Sequence, residues 1–350
     1  PIQKRYREQN IACRVEPGML KISSLPRFSR NLYQYTRFAL KYRRSLDFRR
    51  ALAREADKRF DLVHFNHEAL FLLARWLRPR TRVPFTMHIR TNLWDTAFAR
   101  WQTRLVSKNI DHLVFITENE RDRFKQLGGR ARGTVVYNIA SPPEKDVSPH
   151  EGVPRDKRFK IACLSNYSWN RGLDRLVEVG QVLLDKREEK ILFVMAGDMG
   201  LTRSLPGELG KTGSKGGTLA DYVRLKGLSD MFLFLGHVPD PEAVLVACDA
   251  LAKPTRENNP WGRDILEALA FGRPVLSVGT YDRFVTSGET GILQAVFNAQ
   301  KMAEEIVNMA DNPELCARMG HNAKERVARL CNGPERANDL LNIWKTARRE

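Results

Sequence analysis

Short apolar runs rich in Val, Ile, Leu and Phe alternate with longer amphipathic segments along most of the chain. The short runs predict β-strands, and the segments between them, with apolar residues three or four apart, predict helices. A regular succession of strand and helix is typical of parallel sheets covered by helices on both faces. The predicted strands are Asn10–Val15, Leu62–Phe65, Pro84–Met87, His112–Ile116, Thr134–Tyr137, Phe159–Leu164, Ile191–Ala196, Met231–Leu235, Ala250–Lys253 and Pro274–Val278.

The stretch at 140–157, ASPPEKDVSPHEGVPRDK, interrupts this alternation. It is rich in Pro, Ser and charged residues and has no apolar period, which is typical of an interdomain linker. We therefore predict two doubly wound α/β domains in tandem that face a cleft, with the first domain over 1–148 and a linker over 149–157. Ligands of such sheets bind beyond the carboxyl ends of the strands.

The pattern at 31–60 predicts one long amphipathic helix with a basic side. Its apolar face carries Leu32, Tyr35, Ala39, Tyr42 and Leu46, and its opposite face carries Arg37, Lys41 and Arg44. Two interpretations stay open for the basic side. It is either an ordinary solvated surface or a face that contacts anionic lipid.

The 350 residues carry a net charge of +17, and nearly all of the excess lies in the first 150 residues. That part holds 30 Lys and Arg against 14 Asp and Glu, whereas the rest holds 28 against 27. Two domains with different partners would produce such a division. A nucleic-acid-binding protein fits poorly, because no basic–aromatic motif accompanies the charge.

The sequence also bears on compartment and metal binding. No apolar run approaches the ~20 residues of a membrane-spanning helix, and the opening PIQKRYREQN does not look like a signal peptide. The five cysteines are scattered without a C-x-x-C pair, so we expect a reducing, cytosolic compartment. His64 and His67 have the spacing of a metal-binding pair, but no third ligand is nearby, and loop residues at a strand end are the alternative.

Polar residues and glycines follow several of the predicted strands. SNYSWNRG places Asn166 and Arg171 after one strand, and MAGD and FLGHVPD place Gly197 and Gly236 after two others. The guanidinium of Arg171 suits phosphate oxygens, and glycines let the backbone approach a ligand closely. Ordinary surface loops and turns are the alternative for each of these segments.

The segment ENNPWGRDILEALAFG places a helix N-terminus at the carboxyl edge of the second sheet. Gly262 permits a tight entry, and Asn259 is expected to accept hydrogen bonds from the free amides. The amides of Arg263–Ile265 would then point at a ligand with the positive end of the helix dipole behind them. Glu267, one turn further, can accept two hydroxyls from a ribose. A normally capped helix with a solvated Glu267 is the alternative.

Taken in order, these motifs resemble the nucleotide-sugar-binding domain of GT-B glycosyltransferases, in the large retaining group called family 4 or group 1. The motifs are SNYSWNRGLDRL, MAGD, FLFLGHVPD, CDALAKPTRE, NPWGRDILEALAFGRPVLSVGT and TSGETGIL, over roughly 158–295. FDLVHFN, VPFTMH, IDHLVFITENERDRF and VVYN resemble the acceptor domain more loosely. The resemblance implies two Rossmann-like domains, the second over 158–328, and a final helix at 329–350 that crosses back to the first.

Two pairs of family residues bind the donor. An Arg and a Lys that hold the diphosphate correspond to Asn166 and Arg171, so the cation is kept only at the second position. Two Glu residues correspond to Asn259 and Glu267, which implies that Glu267 binds the ribose and that Asn259 stands where a carboxylate normally contacts the donor sugar. Glu257, two residues earlier, is a candidate replacement.

His88, at the end of VPFTMH, matches a family histidine that faces the reacting centre from the acceptor side, and a satisfied loop histidine is the alternative. The family's Gly-rich loop after the first strand has no counterpart here. Together with a first residue that is not Met, this predicts that roughly 40 N-terminal residues are absent, as expected for one strand–helix unit, and that the chain as given is inactive.

The resemblance implies a retaining, metal-independent transfer of a sugar from a UDP- or GDP-sugar to a hydroxyl of a cell-envelope or lipid-linked glycan. No D-x-D pair stands at a strand end, and we expect no cofactor and no nucleic-acid partner. The basic first half predicts a peripheral position at the inner face of the plasma membrane. The alternative function is a non-catalytic homologue that only binds sugar nucleotides.

Overall fold

The computed structural model describes residues 2–16, 32–142 and 146–349. The chain forms two compact units. The first comprises residues 1–137 together with 337–350, and the second comprises residues 138–336. Each unit is an α/β structure built on its own parallel sheet.

The first unit contains a four-stranded parallel sheet in the order β1-β2-β3-β4. Its core combines aliphatic residues with aromatic rings of the strands and of the flanking helices, such as Phe71, Phe85 and Phe124. The strands are β1 Val63–Phe65, β2 Phe85–Ile89, β3 His112–Phe115 and β4 Gly133–Val135, and the helices are α1 Ile2–Glu8, α2 Leu32–Arg44, α3 Leu46–Arg59, α4 Phe71–Leu77, α5 Ala97–Asn109 and α6 Glu118–Gln126.

The second unit contains a six-stranded parallel sheet in the order β10-β9-β8-β5-β6-β7. The strands are β5 Phe159–Leu164, β6 Ile191–Ala196, β7 Phe232–Gly236, β8 Ala250–Lys253, β9 Val275–Val278 and β10 Gly291–Gln294. The helices are α7 Asp174–Asp185, α8 Gly207–Ser214, α9 Leu219–Leu225, α10 Pro241–Ala247, α11 Arg263–Ala270, α12 Ala299–Asp311 and α13 Pro313–Leu330. Strand order runs outward in both directions from the β5/β8 pair, so a topological switch point lies between these two strands.

The last helix, α14 Gly333–Arg349, contributes its residues from 337 onward to the first unit. Ile343 is buried against Val114 and Val136, which are residues of β3 and of the segment after β4. The segment expected to form a linker is part of the second unit, where the His150 amide donates to the Ala243 carbonyl at 3.0 Å.

Two of the predicted elements are wrong. Residues 11–16 form no strand, and residues 11–15 are exposed, so this apolar–polar alternation has neither a paired neighbour nor a core to face. The pattern at 31–60 is two helices that meet at the buried Ser45, whose hydroxyl donates to the Tyr42 carbonyl. Residues 17–31 and 143–145 lie outside the described part of the chain.

The apolar face expected for the first of these two helices is also wrong. Leu32 is 75% exposed, and the buried residue of α2 is Phe38 instead. The strand β10 was not predicted. It has four residues and opens with Gly291, a residue with low strand propensity.

Candidate functional site

The candidate site lies at the switch point of the second unit, where the loops after β5 and β8 leave adjacent strands in opposite directions. A cavity of about 250 Å³ opens beside the carboxyl ends of β5 and β6. Its lining residues are Leu164, Ser165, Asn166, Arg171, Ala196, Gly197, His237, Val238 and Pro241. Asn166 and Arg171, which the sequence placed after β5, therefore line one cavity.

Arg171 is fixed at the rim of this cavity. It ends a short 3-10 turn, Trp169–Arg171. Its Nη1 donates to Ser165 Oγ at 2.6 Å and to the Asn166 carbonyl at 3.3 Å. Asn166 is used differently, because its Oδ1 accepts from the Asp198 amide at 2.8 Å and joins the loops after β5 and β6. The positive charge therefore comes from Arg171, and Asn166 shapes the loop beside it.

Two glycines bring the strand ends close together. Gly197 has φ of +139°, and a Cβ there would lie 2.7 Å from the Ser165 carbonyl group and 2.8 Å from the Asn166 amide nitrogen. Gly236 also has a positive φ, +69°, and its carbonyl accepts from the Gly197 amide at 2.6 Å. A Cβ added at Gly236 would meet no atom within 4 Å, so open space adjoins this position.

The α11 helix begins as expected at Gly262, but Asn259 does not cap it. Asn259 Oδ1 accepts from the Thr255 hydroxyl at 2.8 Å, and Gly262 itself is the N-cap residue, without a side-chain cap. The Ile265 amide donates to Asp264 Oδ1 at 3.0 Å. Of the three amides expected to point at a ligand, this one is already used by a neighbouring carboxylate.

Lys253 is a functional candidate that was not predicted from the sequence. It ends β8, and its Nζ donates to Asp264 Oδ1 at 2.8 Å. The Lys253 side chain is only 13% exposed and that of Asp264 only 17%. A Cβ on Gly262 would lie 1.9 Å from this Nζ. The available signal was a cation at the last position of a strand beside the switch point. Lys253 therefore places an ammonium group, paired with Asp264, directly beside the start of α11.

A carboxylate also stands in the loop between β8 and α11, at Glu257. Asn170 Nδ2 donates to its Oε1 at 3.0 Å and Asn259 Nδ2 donates to its Oε2 at 3.2 Å. The Glu257 amide donates to the Thr255 hydroxyl at 3.0 Å. Two amide side chains thus orient both oxygens of Glu257, and Asn259 acts on this carboxylate rather than on the helix.

The loops after β5 and β8 are braced against each other by Arg256. Its guanidinium donates to both oxygens of the buried Asp174, at 2.9 and 2.6 Å, and lies 3.6 Å over the Trp169 ring. Gly172 allows the two loops to approach closely, since a Cβ there would lie 2.1 Å from the Pro254 carbonyl oxygen. The bidentate pair holds Arg171 and Glu257 on a rigid frame.

Glu267 lies one turn into α11 and is partly buried, with 24% of its side chain exposed. Its Oε1 accepts from Arg263 Nε at 2.6 Å, whereas the Arg263 side chain is 87% exposed. Glu267 is therefore neither fully solvated nor unpartnered, and its partner is an exposed surface cation.

His88 lies in the first unit, at the penultimate position of β2. Its Nδ1 lies 2.8 Å from Nε2 of His64, and the two rings meet edge to face at 90°. Burial, and then the nearby charge of Arg90, lowers the pKa of His64 to about 4. Burial, followed by His64 and Arg90, lowers the pKa of His88 to about 3. Both imidazoles are therefore neutral at physiological pH.

His64 and His67 have separate hydrogen-bond partners in the structure. His67 Nδ1 accepts from the Ala69 amide at 3.0 Å at the start of a short 3-10 turn. Among the described residues, no group of three or more His, Cys, Asp and Glu side chains is arranged to hold a metal ion.

Two α/β units on parallel sheets, one of them with a cationic site at its switch point, are typical of the GT-B class of glycosyltransferases. Family models match both parts of the chain: glycosyl transferases group 1 over residues 144–326 and a glycosyl transferase 4-like domain over residues 5–138. The chain therefore belongs to the group 1 glycosyltransferases, and it is a transferase enzyme of the GT-B fold.

Curated relatives of the chain are glycosyltransferases, and solved structures share its fold. A lipopolysaccharide core biosynthesis mannosyltransferase, LpcC of Rhizobium leguminosarum, is 25% identical over 331 residues, which cover 91% of this chain and 85% of that protein. The α-D-kanosaminyltransferase of Streptomyces kanamyceticus is 25% identical and covers 71% and 63% of the two chains. The crystal structure of Anabaena Alr3699/HepE with UDP-glucose superposes with a TM-score of 0.69 at 20% identity, covering 85% and 82%.

Proposed function

We propose that this glycosyltransferase moves a sugar, with retention of anomeric configuration, from a UDP- or GDP-sugar to a hydroxyl of a cell-envelope or lipid-linked glycan. The observation that carries the proposal is the placement of Arg171 after β5 and of Lys253 and the start of α11 after the adjacent strand β8. A guanidinium and free helix amides at neighbouring strand ends suit a diphosphate, and the Lys253 ammonium, paired with Asp264, lies beside those amides. The complex of HepE with UDP-glucose supports this class of donor. The role of LpcC in lipopolysaccharide core biosynthesis supports this class of acceptor.

In the proposed complex the diphosphate accepts hydrogen bonds from Arg171 and from the amides of Arg263 and Asp264. The exposed Arg263 can exchange Glu267 for a phosphate oxygen, which would leave Glu267 to accept the ribose hydroxyls. Gly236 leaves open space for the nucleotide, and the oriented carboxylate of Glu257, with Asn259 behind it, binds hydroxyls of the donor sugar.

In the proposed reaction the bond between the anomeric carbon and the diphosphate oxygen breaks while the acceptor oxygen bonds to the same face of that carbon. The acceptor proton passes to the departing diphosphate. Arg171 and the α11 amides stabilise the negative charge that develops there, and His88 donates a hydrogen bond to substrate. We propose that these protein groups, rather than a metal ion, meet the leaving-group charge.

The test is a screen of UDP- and GDP-sugars with glycan acceptors on the protein expressed from its complete gene, in which NMR determines the anomeric configuration of the product. We expect transfer with retention, and the same rate in EDTA as in magnesium. An inverted product would contradict the proposed geometry, and a rate abolished by EDTA would contradict the metal-independent step.

A non-catalytic sugar-nucleotide-binding function is the second candidate. It is favoured by the ion pair between Arg263 and Glu267 and by the amide at Asn259, where a carboxylate is expected from the resemblance. Saturable binding of a UDP-sugar without transfer or hydrolysis, across the same acceptor panel, would favour this function over catalysis.

We also propose that the first unit attaches the enzyme to the inner face of the plasma membrane. Among residues 2–16, 32–142 and 146–349, no helix combines the length and apolar composition needed to cross a bilayer. The α2 helix instead exposes Leu32, Tyr33 and Leu40 by 75%, 67% and 56%, and its last turn holds Lys41, Arg43 and Arg44. Exposed apolar and basic side chains on one helix favour anionic lipid surfaces.

Sedimentation with phosphatidylglycerol vesicles tests this attachment. We expect binding at low salt that weakens with salt and is lost when Leu32, Tyr33 and Leu40 are replaced by Ser. Neutral phosphatidylcholine vesicles serve as the control, and no binding to anionic vesicles even at low salt would reject the proposal.

A further inference from the structure

Three side chains in the first unit form a hydrogen-bonded chain that ends at His88. Trp344 of α14 donates from Nε1 to His64 Nδ1 at 3.3 Å, and His64 Nε2 lies 2.8 Å from His88 Nδ1. In the sheet, His64 pairs with Thr86, and His88 follows two residues later on the same face of β2. The C-terminal helix and two strands thus converge on one pair of imidazoles.

The direction of this chain follows from the indole. An indole N–H only donates, so His64 Nδ1 must accept from it. The hydroxyl of the buried Thr86 lies 2.7 Å from the same Nδ1 and donates to it in this arrangement. The proton of neutral His64 is then on Nε2, and it is donated to His88 Nδ1. His88 in turn carries its own proton on Nε2.

We infer that Trp344 sets the tautomer of both histidines and thereby presents His88 as a neutral Nε2–H donor. The opposite arrangement would place two donors against each other at His64 Nδ1. Arg90, the charged group that acts on both rings, opposes a second proton on either of them. Trp344 is therefore a positioning residue for the ring of His88, which lies 256 residues earlier in the sequence.

The Nε2–H tautomer of His88 has a chemical consequence for the proposed function. Only the step in which His88 meets substrate rests on that function. A neutral Nε2–H donates to a hydroxyl or phosphoryl oxygen but cannot remove a proton from the acceptor. His88 would then orient or stabilise substrate, and would not serve as a general base.

The test is long-range ¹H–¹⁵N NMR of the histidine side chains in the full ligand-free chain. Among the seven histidines, the signals of His64 and His88 are assigned by their loss in His64→Gln and His88→Gln. We expect both rings to carry the Nε2 proton and neither to titrate between pH 5 and 8. A Nδ1 proton on His88, or titration near pH 6.5, would overturn the inference whether or not the enzyme transfers sugar.

Trp344→Phe removes the N–H while keeping an aromatic ring, and Trp76→Phe on α4 makes the same change away from the histidines. We expect Trp344→Phe to mix the tautomers of His64 and to lower kcat roughly fivefold, as for loss of one hydrogen bond, with KM for the donor unchanged. Trp76→Phe should change neither. Unaltered tautomers in a folded Trp344→Phe protein would refute the role of the indole.

Discussion

The pair Lys253–Asp264 allows the charge at the start of α11 to be tested separately for stability and for ligand binding. Lys253 Nζ and Asp264 Oδ1 are 2.8 Å apart, and both side chains are largely buried. At that distance and an effective dielectric constant of about 20, the attraction is about 6 kcal/mol before desolvation is subtracted. Replacing Lys253 by Met leaves the Asp264 carboxylate buried without its cation, which typically costs about 3 kcal/mol.

We expect Lys253→Met to lower the melting temperature of the second unit by roughly 6–12 °C, since about 1 kcal/mol shifts a unit of this size by 2–4 °C. The affinity for UDP, measured by calorimetry below the melting range, should fall roughly 30-fold, or about 2 kcal/mol. The diphosphate would then lose a cation and meet an unpaired carboxylate.

The double variant Lys253→Met with Asp264→Asn separates the two effects. It should recover most of the stability, because no unpaired charge remains, but it should not recover full UDP affinity. The matched control is Lys190→Met, which breaks an exposed pair with Asp311 and should change either quantity little. Full UDP affinity in the double variant would refute the assignment of Lys253 to the diphosphate site.

Three further outcomes follow from the geometry. Gly197→Ala places a Cβ 2.7 Å from the Ser165 carbonyl group and requires φ of +139°, so we expect both UDP binding and melting temperature to fall, and calorimetry showing wild-type affinity would contradict this. Glu257→Gln should raise KM for the sugar nucleotide roughly tenfold while leaving the affinity for free UDP unchanged; an equal loss for UDP would place Glu257 elsewhere. The lowered pKa values of His64 and His88 mean that the unfolded chain binds more protons below pH 6.5, so stability should fall from pH 6.5 to 4 by up to about 1.4 kcal/mol per pH unit for each histidine, and urea unfolding of the double Gln variant should show a shallower dependence.

The parts of the fold that a local pattern determines could be predicted from the sequence. Buried strands such as Phe159–Leu164 and Ile191–Ala196 are short segments made almost entirely of apolar residues, and the structure has them with the same ends. The segment at 11–15 has a similar composition but no partner strand, and pairing is a property of the tertiary structure rather than of the segment.

The break between α2 and α3 was missed for a related reason. Ser45 is compatible with a helix, and only its burial with Arg49 shows why the chain turns there. Arg49 in turn packs over the rings of Tyr42 and Trp76, contacts that a periodic pattern does not contain.

At the candidate site, the sequence indicated which loops converge but not which atoms pair. Arg171 and Gly236 lie at strand ends, as their motifs indicated. The partners of Asn259 could not be inferred, because its amide reaches back to Glu257 instead of forward to the helix. Lys253 was overlooked since its role depends on the switch point, which is fixed by strand order and not by local sequence.

The most direct test of the central claim is the affinity of UDP for Arg171→Gln, compared with Arg318→Gln on the exposed surface of α13. If the diphosphate binds between Arg171 and the start of α11, loss of the guanidinium should weaken UDP roughly 10- to 100-fold and leave uridine, which lacks phosphates, unaffected. The Arg318 variant should bind UDP like the wild type. Equal UDP affinity in the two variants would show that the diphosphate binds elsewhere.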